Sequence, residues 1–230
     1  MKKVAYIIEN NRANITMNDG KANAMDFHYF EEMNSALTEI ESSKSQVLII
    51  KGRQGFFSGG LDLKLISTLA PNDIDKLAET FARTMLRVFL YPIPTVAICT
   101  GHAIAGGAML AVACDRRHVI HGHDRIQVNE ITIGIPLPSW MLLLGKSAIP
   151  PGFQTEALLH AKTYTPKEAH DAGIFHGLID NGEDINVAIN SEVEALMSLN
   201  TPAYSISKKR LREKEIKEVL AMLKEELPSK

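Results

Sequence analysis

Cysteine is scarce in this chain, with two in 230 residues, too few for a disulfide framework. Cys99 and Cys114 both lie in apolar stretches, VAICTG and LAVACD, which reads as two buried thiols and not as a bridge or a metal site. No two of the histidines have HxxxH or HExxH spacing, so a metal centre is unsupported. The GxGxxG fingerprint of dinucleotide-binding folds and the GxxxxGK[ST] phosphate loop are both missing. An excess of one charge is missing as well. Lysine and arginine number 25 against 27 aspartates and glutamates, a formal net charge of −2 that gives no electrostatic reason to expect nucleic acid or an anionic membrane as partner. No apolar run approaches the roughly 20 residues that span a bilayer. The opening MKKVAYIIENN passes from two lysines and a short apolar run straight into polar residues, without a small-residue cleavage site. A first strand is expected there and not a signal peptide. Together these absences lead to the expectation of a soluble, cytoplasmic chain.

What is present is globular. Hydrophobic residues make up 45% and charged residues 23%, a mixture that can bury one core. VAYIIENNRANITMND reads as two strands joined by a Glu-Asn-Asn-Arg turn. From Asp26, which suits an N-cap, Phe27, Phe30, Met33, Leu37 and Ile40 recur at helical spacing. VLIIK is a short continuous apolar run, the pattern of a strand buried on both faces. RQGFFSGG reads as a Gly-rich turn, followed by apolar LDLKLISTLA and, past Pro71, a helix over residues 73–90. TVAICTG repeats the buried strand, GHAIAGG the turn and AMLAVACD the apolar helix, and RRHVIHG is a third strand. Alternation of this kind predicts an α/β layer with crossover helices. Beyond Pro136 the pattern is mostly helical and cut by prolines, and residues 184–199 and 202–227 form the two longest pieces. The last piece places Leu211, Ile216, Leu220 and Leu223 on one stripe. The expected organisation is a core over residues 1–183 and a helical region over 184–230.

The chemistry points to two turns, residues 56–62 (FFSGGLD) and 101–109 (GHAIAGGAM). Each follows a buried strand and precedes a helix. Glycine lets the backbone come close to a ligand, and the first N–H groups of a helix point outward toward developing negative charge. Two such turns side by side would offer one N–H each to the same oxygen, an oxyanion hole. Taken alone, either turn reads more simply as close helix–strand packing.

Several motifs resemble one family. FFSGGLDLK is similar to the first oxyanion-hole segment of the enoyl-CoA hydratase/isomerase (crotonase) family, F-S-A-G-x-D. PTVAICTGHAIAGGAMLAVACD resembles its second, and NEITIGIPLP its P-E-x-x-x-G-[IL]-x-P region. KTYTPKEAHDAGIFHGLID resembles the family's later A-x-E-A-x-x-x-G segment, and KANAM its early [KR]-x-N-A-[LM] element. The matches run in order over residues 5–180. The resemblance implies an α/β crotonase-like superhelix of stacked ββα units, with a helical C-terminal portion that serves oligomerisation as a homotrimer or a hexamer of two trimers. It implies an acyl-CoA thioester as substrate, coenzyme A being part of that substrate, and no separate cofactor. By position, the oxyanion hole would be the backbone N–H groups of Leu61 and Gly106, and the catalytic base Glu130. The substrate-binding set would be Lys21, Ala22, Asn23, Ala24, Ser58, Gly59, Gly60, Gly107, Met109 and Trp140, the backbone near Lys21 receiving the adenine.

One position departs from the family pattern. Met109 stands where hydratases place one of two catalytic glutamates. Adding water across a double bond calls for two carboxylates, whereas moving the double bond needs one base. A single-base isomerase working through Glu130 is therefore the leading expectation, and the NEITIGIPLPSWM stretch is more similar to the isomerases as well. Phe57, Met109, Ile133 and Trp140 are expected to desolvate Glu130 and raise its pKa. A hydratase, a thioester hydrolase, a decarboxylase and a non-catalytic acyl-CoA binding protein remain alternatives. Without the resemblance, Glu130 reads as a surface or ion-paired glutamate. Asp62 and Asp115 read as helix-end or ion-pair residues, and His102 as a structural or rim histidine. The basic run Lys208, Lys209, Arg210, Arg212 and Lys214 reads as a solvated helix face or, alternatively, as a contact to the phosphates of coenzyme A.

Overall fold

The opening hairpin sets the first register. In the computed structural model, which describes residues 2–229, β1 (Val4–Glu9) and β2 (Arg12–Met17) pair antiparallel around Asn10 and Asn11. Both asparagines have positive φ, 50° and 60°, a conformation asparagine reaches at less strain than most side chains. β2 turns Ala13, Ile15 and Met17 inward at the period of a strand. It then pairs in parallel with β3 (Val47–Lys51), and β4 (Gly55–Ser58) lies outside this sheet. β5 (Thr95–Cys99) follows β3, and β6 (Gly101–Ile104) again lies outside. With β7 (Arg116–Ile120) and β9 (Gly177–Ile179), the six-stranded sheet has the order β1-β2-β3-β5-β7-β9. β4, β6 and the two-residue β8 (Ile126–Gln127) form a second, parallel sheet. The segments read from the sequence as Gly-rich turns therefore contain strands. At four residues each, broken by glycine, they are too short to show a period.

Helices cover both faces. α1 (Phe27–Glu41) starts at Asp26, whose carboxylate accepts the Tyr29 N–H at 2.8 Å, and it buries Phe30, Met33, Leu37 and Ile40. The single-turn α2 (Leu63–Ile66) is capped by Asp62, and α3 (Pro71–Phe89) carries proline at its first position. α4 (Gly106–Ala113) is buried along its whole length. α5 (Ser139–Ala148), α6 (Pro151–Gln154), α7 (Pro166–Asp171), α8 (Ile185–Met197) and α9 (Thr201–Met222) complete the chain. The main core includes Leu48 and Ile50, and a smaller cluster on the other side of the sheet joins Val47 and Ile49 to Ile189 and Val193 of α8. VLIIK is thus apolar throughout because both of its faces are covered. No helix of the described residues is long and apolar enough to cross a membrane.

α9 departs from the expected stripe. Leu211 is 74% exposed, whereas Lys208 is buried together with Ile216, Val219 and Leu223. The reason is Asp115, which stands just past α4. Its carboxylate accepts from Lys208 Nζ (2.7 Å), Arg212 (2.9 Å), Tyr204 Oη (2.8 Å) and both the N–H (2.8 Å) and hydroxyl (2.9 Å) of Thr95. Lys208 and Arg212 are therefore not part of a solvated face; only Lys209, Arg210 and Lys214 are exposed. Burial pushes the Asp115 carboxyl up, but the two cations and the hydrogen bonds outweigh it and hold its pKa below the ordinary value. The stability this contributes is present above the unfolded carboxylate pKa and is lost as pH falls through the folded one. Asp115→Ala would strand two inward-facing cations, so denaturant unfolding is expected to show a loss of about 3–5 kcal/mol near neutral pH.

Candidate active site

Three parallel strands bring three turns to one edge. The register of β4 on β6 (Gly55 with Gly101, Ser58 with Ala103) and of β6 on β8 (Ala103 with Ile126, Ile104 with Gln127) makes the chain leave all three strands at the same end. It enters Gly59-Gly60-Leu61 from the first, Ala105-Gly106 from the second and Val128-Asn129-Glu130 from the third. The Ala105 N–H continues the ladder by donating to the Gln127 carbonyl at 2.8 Å. The carboxyl ends of parallel strands are where α/β folds place their ligands.

The first two turns touch through their backbones. Gly60 has φ 84°, and a Cβ on it would lie 2.8 Å from the Gly106 nitrogen. A Cβ on Gly107 would come within 2.1 Å of the Ser58 carbonyl oxygen. Hydrogen bonds then set the direction of two N–H groups. The Gly60 carbonyl accepts the Met25 N–H at 2.8 Å, so the Leu61 N–H of the same trans peptide points the other way. The Ala105 carbonyl accepts the Met109 N–H at 3.0 Å in the first turn of α4, so the Gly106 N–H points out of the helix N-terminus. Ala105 has φ 51°, a strained value for a residue with a Cβ. Among the described residues, neither N–H has a hydrogen-bond partner. Two N–H groups without partners thus stand on adjoining turns, with the positive end of α4 behind one of them.

Glu130 opens a 3₁₀ turn (Glu130–Ile133) and is 8% exposed. Its Oε2 is buried without a partner. Burial pushes the carboxyl up to about 7, only partly offset by the backbone N–H groups of Glu130 and Asn129. No cation contributes to that shift, in contrast to Asp115. Across the second turn, Phe81 of α3 packs over Gly106 and meets Trp140 of α5 edge-on, ring centroids 4.8 Å apart. Of the side chains expected to desolvate Glu130, Phe57, Met109 and Trp140 are buried, but Ile133 is 49% exposed. The turn runs outward to Gly134 and carries Ile133 to the rim.

The remaining residues divide by role. Asn23 is buried, and its amide donates to the carbonyls of Met17, Phe56 and Phe57 at 3.0–3.1 Å. Ser58, also buried, donates to the Asn23 carbonyl at 2.8 Å and accepts the Gly60 N–H at 3.1 Å. These side chains shape the turn from inside. Gly59 donates its N–H to the Ala22 carbonyl at 2.8 Å, Ala24 is half-buried, and Lys21 is exposed beside them. His102 accepts the Arg125 N–H at 2.8 Å and stacks near Phe56, a structural place. Asp19, close to the site, is not singled out by the sequence motifs, although an Asx turn there is a legible signal; Met25 closes the KANAM element and acts through its backbone. A concavity of about 590 Å³ between β2 and α8 is lined by neither Leu61, Gly106 nor Glu130.

The enoyl-CoA hydratase/isomerase family model matches residues 8–226. The chain belongs to that family. It is 30% identical over 191 residues to enoyl-CoA delta isomerase 3 of Arabidopsis thaliana, covering 77% of this chain and 79% of that protein. It is 32% identical over 138 residues to a probable enoyl-CoA hydratase of Bacillus subtilis, covering 59% of this chain but only half of the Bacillus protein. The apo structure of an enoyl-CoA isomerase from Mycobacterium tuberculosis matches with a TM-score of 0.89 at 28% identity, covering 98% of this chain and 97% of that one. The two sheets and their flanking helices are the crotonase fold.

A prediction follows from the environment of Glu130. Its pKa is raised on folding, so the stability linked to its neutral form is fully present below the unfolded value and is lost as pH rises through about 7. Between about pH 5 and pH 8, the stability of Glu130→Gln relative to wild type is expected to improve by roughly 2–3 kcal/mol, read by denaturant unfolding at each pH.

Proposed function

We propose that the protein moves the double bond of an acyl-CoA thioester, converting a 3-enoyl-CoA into the conjugated 2-enoyl-CoA, with Glu130 as its single acid–base group. The observation that carries this reading is a carboxyl pushed to about 7 with an unpartnered oxygen, on the same sheet edge as two outward N–H groups. A base that must both take and return a proton works best near the operating pH. Met109 offers no second proton-transfer group where a hydratase would carry one, and it is wholly buried.

In this mechanism the thioester carbonyl accepts hydrogen bonds from the Leu61 and Gly106 N–H groups. Glu130 takes a proton from the α-carbon, and the electrons move into the carbonyl to form an enolate. The enolate is held between the two donors while the same carboxyl returns the proton to the γ-carbon. One oxyanion donor contributes about 3–4 kcal/mol to such a step, and a positioned base about 10²–10⁴-fold in rate. Coenzyme A enters as part of the substrate, and no further cofactor is used. In the same reading the backbone of the loop at Lys21–Ala24 receives the adenine of coenzyme A and the turn at Ser58–Gly60 the thioester, with Trp140 on the apolar side. The helical region from residue 184 onward serves a cytoplasmic homotrimer or a pair of trimers. Hydration of a 2-enoyl-CoA is the second reading, favoured by the similarity to the probable hydratase of Bacillus subtilis.

The ultraviolet absorbance of the conjugated thioester tests both readings. Absorbance is expected to rise with a 3-enoyl-CoA, and Glu130→Gln should slow that rise by at least about 10²-fold. The wild-type kcat/KM should increase with pH through about 7, as Glu130 ionises. A fall in absorbance with a 2-enoyl-CoA would favour the hydratase, and no change with either substrate would refute both.

A further inference from the structure

The turn that carries Leu61 does not hold its own shape. Four hydrogen bonds tie residues 58–62 to residues 19–25, a loop much earlier in the chain, besides those that the Asn23 amide donates to the Phe56 and Phe57 carbonyls. The Gly59 N–H donates to the Ala22 carbonyl (2.8 Å), Ser58 Oγ to the Asn23 carbonyl (2.8 Å), the Met25 N–H to the Gly60 carbonyl (2.8 Å) and the Asp62 N–H to the Met25 carbonyl (3.0 Å). With the Gly60 N–H on Ser58 Oγ, residues 59, 60 and 62 all place their N–H groups inside the protein. Only the N–H of Leu61 faces outward, because its peptide is clamped by the Gly60 carbonyl on Met25.

The loop in turn is gathered by one carboxylate. Asp19 Oδ1 accepts the N–H groups of Lys21 (2.7 Å) and Asn23 (2.9 Å), and Oδ2 accepts that of Ala24 (3.0 Å). The Asp19 N–H closes the ring by donating to Asn23 Oδ1 at 3.0 Å. Asn23 sits at φ 51°, a left-handed conformation that this ring supports. Charge-assisted bonds of this kind are stronger than the neutral ones they organise.

We propose that Asp19 is a positioning residue for the oxyanion donor at Leu61: by gathering three N–H groups it holds the loop in the shape that aims the Leu61 N–H at the thioester oxygen. The inference rests on the oxyanion reading of the site. Gly59 and Gly60 leave the peptide before Leu61 little resistance to rotation of its own, so the aim depends on the Met25 clamp and the clamp on the loop. Losing an oxyanion donor outright lowers kcat about 10²–10³-fold, and mis-aiming part of the population lowers it less.

The test is infrared difference spectroscopy of the carbonyl stretch of bound butanoyl-CoA, a saturated thioester that cannot react, together with kcat and KM on a 3-enoyl-CoA. In the wild type the stretch should move to lower wavenumber on binding. Asp19→Ala should lose most of that shift and about tenfold in kcat, and KM should rise as well because the same loop receives coenzyme A. Asp19→Asn keeps the acceptor for Lys21 and Asn23 and should recover part of both. A wild-type protein that binds butanoyl-CoA with no shift would overturn the oxyanion reading itself. A normal wild-type shift that survives intact in Asp19→Ala would overturn only the role given to Asp19, whether or not kcat falls.

Discussion

A trans peptide holds its carbonyl and the following N–H on opposite sides, and this constraint governs the site twice. The Gly60 carbonyl is held by Met25, and the Ala105 carbonyl is held inside α4. Each anchored carbonyl turns the next N–H outward. Neither donor is itself held by a side chain, so its aim depends on the backbone around it. That backbone is fixed by the small parallel sheet, by two glycines where no Cβ has room and by the loop gathered at Asp19.

Two buried carboxylates show how environment divides their roles. Asp115 and Glu130 are both largely withdrawn from water, and burial by itself pushes each carboxyl up. Asp115 has two cations and several hydroxyl and amide donors, stays ionised and fastens α9 to the core. Glu130 has only weak help from nearby N–H groups and is poised near neutrality. The same type of side chain is a paired anion in one place and a carboxyl without a countercharge in the other.

Legibility followed length and locality. The hairpin, α1 and the strands at Val47 and Thr95 were readable because their periodic or continuous apolar patterns extend over five or more residues. β4, β6 and β8 were not, because strands of two to four residues carry no period. The basic run on α9 was read partly wrong for another reason: charge alone cannot tell a solvated lysine from one drawn inward by a carboxylate 93 residues away in sequence. Ile133 is apolar and close to Glu130 in the chain, but the turn leaves it half exposed. The family motifs singled out Leu61, Gly106 and Glu130, yet no motif could show that Asn23 and Ser58 face inward, since their partners lie in segments far away in the chain.

By itself, the sequence determined the succession of strand, turn and helix, the glycines at positions 60, 106 and 107, and the absence of a second carboxylate at Met109. These depend on residue type and near neighbours, which a chain states directly. Only the tertiary structure decided where the Leu61 and Gly106 N–H groups point, that Glu130 lacks a countercharge, and that Asp115 has two. Those properties belong to contacts between segments far apart in the chain, and they exist only once the sheets have brought the segments together.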